Sequence, residues 1–150
     1  MQALSAPIRL LMALSLAQTQ LLKRVEGGLS LHGISFSEFL VMYRLSRAPE
    51  LTLRRVELAQ GVGLTASGVT RLLLPMEKNH LVEKQQNARD ARVSLVKLTE
   101  TGARVLEEAL GSLTLGAEEA LQDMAATEQT QLLDLLEKLL HASQPMGKLF

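Results

Sequence analysis

Cysteine is absent from the 150 residues, which excludes a disulfide framework, a thiolate zinc site and thiol-based redox sensing, and suits a reducing cytoplasm. Histidine is scarce: His32, His80 and His141 are scattered and suggest no metal cluster. Long apolar runs are missing as well. A membrane span needs about 20 apolar residues, whereas Arg9 and Lys23 bracket a stretch that already contains Gln18, Thr19 and Gln20. Leu10 to Ala17, apolar apart from Ser15, has the look of a signal-peptide core but lacks a basic start. Signs of catalysis are lacking too. Serine, histidine and acidic residues form no nucleophile motif, no phosphate-cradling glycine loop follows a strand, and no carboxylate pair stands out. The expectation is a soluble, cytoplasmic, non-enzymatic protein with no cofactor.

What is present begins with 47% hydrophobic residues, enough for a real core and one domain over residues 1–150. Net charge is zero, but its distribution is uneven. Residues 44–104 carry eleven Lys/Arg against six Asp/Glu, so this middle is +5 and the two ends together are −5. A basic middle between acidic helical ends fits a DNA reader held in a frame, although chance clustering on a solvated surface gives the same tally.

Apolar residues recur at helical spacing from Ile8 to Val25, with Gly27 and Gly28 as the expected stop. A second helix should start near Ser35 or Ser37 and run to about Arg47, broken by Pro49. Leu51 to Leu53 reads as extended. A short helix from about Arg54 to Gln60, with Val56 and Ala59 inward, then meets a turn at Gly61 and Gly63. Thr65 is a good N-cap for the next helix, whose buried stripe is Val69, Leu72, Leu73 and Met76. Two helices joined by a glycine turn read as helix-turn-helix. Val82 to Gln86 and Val93 to Leu98 read as strands, with a polar tip at 87–92 that carries Arg89 and Arg92. Thr99 caps a long helix with apolar positions at Leu106, Leu110, Leu113, Ala117, Leu121 and Met124, and a last helix runs from Thr127 to about His141. These leucine-rich ends exceed what a small winged domain can cover, which argues for a helical homodimer frame, with a monomeric bundle as the alternative.

The segment LAQGVGLTASGVTRLLLPMEKNHLVEK, followed by NARDARVSLVKLTETG, resembles the signature of the multiple-antibiotic-resistance regulator (MarR) family, and the order of elements matches over nearly the whole chain. The resemblance implies a mostly α (α+β) fold: a winged helix-turn-helix at about 48–100, with dimerisation helices at about 5–30 and 101–142. It implies a double-stranded DNA partner with a pseudo-palindromic operator, and repression relieved by a small, often aromatic, effector. His32, Tyr43 and Arg44 are candidates to line an effector crevice, each with an ordinary reading as packing or surface. A major groove admits one helix, so Thr65, Ala66, Ser67, Gly68, Thr70 and Arg71 are the candidate reading surface. Arg71 can fork to guanine or clamp phosphate, and Arg89 and Arg92 can reach the minor groove or its phosphates. Asp90 would repel DNA and is better read as orienting Arg92. Three positions depart from the family pattern. Pro75 interrupts the recognition helix and should kink it near Arg71, His80 replaces a glycine and should sit in a left-handed backbone, and Ala91 replaces a wing arginine. The alternative is a dimeric interaction or ligand-sensing module with weak or lost DNA binding.

Overall fold

The computed structural model describes residues 4–143 apart from 88, 89 and 91. In chain order the described elements are α1 (Ala6–Ser30), α2 (Phe36–Ser46), β1 (Thr52–Arg54), α3 (Arg55–Gly61), α4 (Ala66–Lys78), β2 (Val82–Gln86), β3 (Ser94–Leu98), α5 (Glu100–Ala120) and α6 (Ala126–Ser143). The strands form an antiparallel sheet in the order β1-β3-β2, with Leu53 and Lys84 both opposite Val96. A three-stranded wing beside a helix-turn-helix, carried on long terminal helices, is the mostly helical winged fold expected.

Most helix starts are fixed by side-chain caps. Ser35 and Glu38 form a reciprocal capping box on α2: Glu38 Oε2 accepts from the Ser35 amide at 2.7 Å, and Ser35 Oγ accepts from the Glu38 amide at 3.3 Å. Thr65 Oγ1 accepts from the Gly68 amide at 3.0 Å to open α4. Thr99 does the same for α5 through Gly102, also at 3.0 Å.

Helix α1 passes through the glycines expected to stop it. Gly28 is needed for packing instead, because a Cβ there would stand 3.3 Å from the Ser112 carbonyl oxygen of α5. Along the same seam His32 Nε2 lies 2.8 Å from Ser112 Oγ, and an Arg24 guanidinium nitrogen donates to the Ala120 carbonyl at the C-terminus of α5. The chain turns only at Gly33, whose φ is +71°. Helix α5 ends at Ala120, so Leu121 and Met124 fall in the turn before α6 rather than on the long helix.

The core gathers α2, the helix-turn-helix, the sheet and the first half of α5, with Met42, Leu45, Leu58, Leu73, Met76 and Leu98 fully or nearly fully buried. Each such side chain contributes roughly 1.5–3 kcal/mol on leaving water. Val56 does not join them: it is 58% exposed, while Leu58 and Ala59 are buried. Residues two apart lie about 200° round a helix, so burying Leu58 turns Val56 outward. Among the described residues no helix is long and apolar enough to cross a membrane, and no group of His, Cys, Asp and Glu is placed to hold a metal ion.

Candidate nucleic-acid interface

Helix α4 buries Val69, Leu73 and Met76 against the core, with Leu72 half-buried beside them, and this stripe fixes which side faces out. The outward side carries Ala66, Ser67 and Arg71, all exposed, with Thr65 exposed just before the helix. Pro75 lies inside α4, which nevertheless runs as one helix from Ala66 to Lys78. The helix ends in a Schellman motif: the His80 amide donates to the Glu77 carbonyl at 3.0 Å and the Leu81 amide to the Met76 carbonyl at 2.9 Å. His80 takes the left-handed position, with φ at +58°, as its replacement of glycine implied.

The candidate reading residues divide by what their polar atoms already do. Thr65 Oγ1 is committed to the Gly68 amide and lies 3.2 Å from Ser67 Oγ. A Cβ on Gly68 would crowd that hydroxyl at 3.1 Å, so the glycine serves the cap. Thr70 is half-buried, and its hydroxyl donates to the Ala66 carbonyl at 2.9 Å. Arg71 makes no hydrogen bond or ion pair among the described residues, so its five donors face outward unspent.

At the wing, Asp90 Oδ1 accepts from both the Arg92 amide, at 3.0 Å, and Arg92 Nε, at 3.2 Å. The carboxylate thus holds the arginine's near edge while the side chain, 92% exposed, projects its far edge into solvent. Arg89 and Ala91 lie outside the described residues.

The MarR family model matches residues 34–94, from the turn before α2 through the helix-turn-helix to the start of β3. A mutant MarR from Escherichia coli, solved in complex with operator DNA, is 26% identical and superposes with a TM-score of 0.80 over 89% of this chain and 94% of that one. Residues 34–94 of the chain belong to the MarR family. Its fold also matches Sco3205, a MarR family transcriptional regulator from Streptomyces coelicolor solved in complex with DNA, at 23% identity and a TM-score of 0.84 over 95% of both chains. In sequence it is 28% and 30% identical to YdgJ and YwaE of Bacillus subtilis, HTH-type transcriptional regulators that are themselves uncharacterized, over 71% and 74% of its length. The chain spans 64% of the length of these two relatives.

Within and beside this MarR-like region, several contacts could not be read from spacing. Arg55, the first residue of α3, is half-buried and donates through Nη1 to Thr70 Oγ1 at 3.3 Å. Its Nε is buried and has no hydrogen-bond partner, a state that ordinarily costs about 1–3 kcal/mol. The Arg54-Arg55 pair immediately before the helix-turn-helix was the one available signal. Arg44 of α2 lays its guanidinium against Gly61, where a Cβ would stand 2.7 Å from Nε. His32 bonds to α5, Arg44 lies on α3, and Tyr43 stacks on Phe39 with ring centroids 6.3 Å apart. The three crevice candidates are therefore each engaged in a different packing contact.

Proposed function

We propose that the chain is a sequence-specific, double-stranded DNA-binding regulator of transcription that works in the cytoplasm as a homodimer and performs no catalysis. Each protomer inserts the N-terminal turns of α4 into the major groove of one half of a pseudo-palindromic operator, while the wing follows the adjacent backbone. Occupying promoter DNA represses transcription, and a small, often aromatic, effector relieves it.

The observation that carries this reading is the unspent Arg71 on the exposed face of a helix whose opposite face is locked into the core. A cation presented without a protein partner, on the element that reads base edges in helix-turn-helix proteins, is matched to a guanine edge. The similar mutant MarR, solved in complex with operator DNA, supports DNA as the partner. That α4 runs as one helix through Pro75 favours this reading over the alternative, a module that has lost DNA binding, for which Pro75 and Ala91 are the motives.

A dimer frame is supported by apolar surface that one protomer leaves in water. Leu10, Leu11, Met12 and Leu16 of α1 are 51–71% exposed, and α6 adds Leu135 at 65%. A groove of about 530 Å³ between the end of α1, the turn after α5 and α6 is lined by Leu21, Leu121, Met124, Leu132, Leu133 and Leu136. Large apolar side chains left exposed in this way are what a protein–protein interface covers.

The test is a pair of affinities, for the DNA upstream of the protein's own gene and for random duplex. Arg71→Ala should cost about 1–3 kcal/mol per contact and relax preference at one base of each half-site, with circular dichroism unchanged. Wild-type protein that binds the upstream DNA no better than random duplex sinks the regulator reading.

A further inference from the structure

We propose that Arg55 is a phosphate clamp, aimed by Thr70 of the recognition helix, that holds one DNA backbone phosphate per protomer and sets the register in which Arg71 meets the base edges. The proposal rests on the DNA-binding reading above and adds to it a contact outside α4 and the wing.

Three observations converge on this residue. Arg55 stands at the start of α3, the first helix of the helix-turn-helix, the element that crosses the sugar-phosphate backbone when the second helix enters the groove. Its charge has no carboxylate partner among the described residues. Glu57, the acidic residue nearest in sequence, instead accepts from the Arg54 amide at 2.8 Å and caps the helix.

The third observation is the incomplete hydrogen bonding. Nη1 is held by Thr70, whose hydroxyl spends its own proton on the Ala66 carbonyl and so turns a lone pair toward the arginine. Nε is buried and unpaired. A guanidinium has five donors in a fixed fork and no acceptor capacity, and a phosphate is the partner that matches both that fork and its charge. Burying one edge against α4 also fixes the plane of the fork. Thr70, with its hydroxyl engaged on both sides, then serves to position Arg55 rather than to read a base.

The clamp is tested on the full-length protein with two fluorescent duplexes, its own upstream DNA and a mixed-sequence duplex, titrated over a range of salt. Arg55→Ala should weaken binding to both duplexes about tenfold, as expected for loss of a charge-assisted bond. It should also reduce the slope of log K against log salt by about 0.9 for each phosphate released. Thr70→Val keeps the shape and charge but removes the acceptor; it should weaken binding less than Arg55→Ala, and the double variant should bind no worse than Arg55→Ala alone. A purely structural role leaves the salt slope unmoved.

If Arg55→Ala melts early, Arg55→Lys takes its place, and the clamp requires a loss of affinity on both duplexes with the slope retained. Wild-type affinity and slope in whichever of these variants folds, or additive effects of the Arg55 and Thr70 changes, overturn the clamp alone. A wild-type protein that binds neither duplex overturns the clamp together with the regulator reading.

Discussion

His80→Gly should stabilise the protein. His80 is exposed, its φ is +58°, and the Schellman bonds that close α4 require that conformation whatever the side chain. Holding a residue with a Cβ in the left-handed region costs about 1–2 kcal/mol, and glycine removes the clash. Glycine's greater freedom in the unfolded chain takes back about 0.5–1 kcal/mol. The net gain is therefore about 0.5–1 kcal/mol, or roughly 1–4 °C in melting temperature for a chain of this size. The assay is urea unfolding followed by circular dichroism, with protein concentration fixed so that association contributes equally to every variant. His80→Asn should recover part of the gain, since asparagine tolerates this backbone, and His80→Ala should recover none. A midpoint for His80→Gly at or below that of His80→Ala, with m unchanged, refutes the strain argument.

Gly102→Ala should destabilise by about 2–3 kcal/mol, because the added Cβ would fall on the Leu81 carbonyl and press on Leu98 Cδ1; a stability within error of wild type would mean that the first turn of α5 moves aside freely. Changing Arg89 and Arg92 together to alanine should weaken binding on all sequences and flatten its salt dependence, and an unchanged slope removes the wing from the interface. Sedimentation should show a dimer near twice the chain mass of 16.4 kDa, and a well-behaved dimer after removal of residues 127–150 would overturn the assigned frame.

Elements that announce themselves through local chemistry were legible in the sequence. Ser35, Thr65 and Thr99 each cap the helix expected of them, the hairpin strands fall at Val82–Gln86 and Ser94–Leu98, and His80 adopts the left-handed backbone. Misreadings arose where tertiary contact overrides a local signal. Gly27 and Gly28 look like a stop, yet α1 continues because α5 must approach Gly28 closely. Val56 fits the inward spacing of a short helix, but burial of Leu58 decides the face. For the candidate interface, spacing located the exposed face of α4 but not which hydroxyls on it were already engaged. The Arg55 to Thr70 contact bridges 15 positions and two helices, beyond the reach of any periodicity argument.

The order β1-β3-β2 puts β3 between two partners, and a single residue, Thr99, separates its last residue from the first turn of α5. That residue is fastened in turn: its hydroxyl lies within bonding reach of the His80 and Leu81 carbonyls, 2.5 Å and 3.0 Å away, and its amide donates to Leu81. There is no slack at this joint. Strand β3 and the long helix are thus fastened end to end at Thr99, with no loop between them in which a tilt of one against the other could be absorbed.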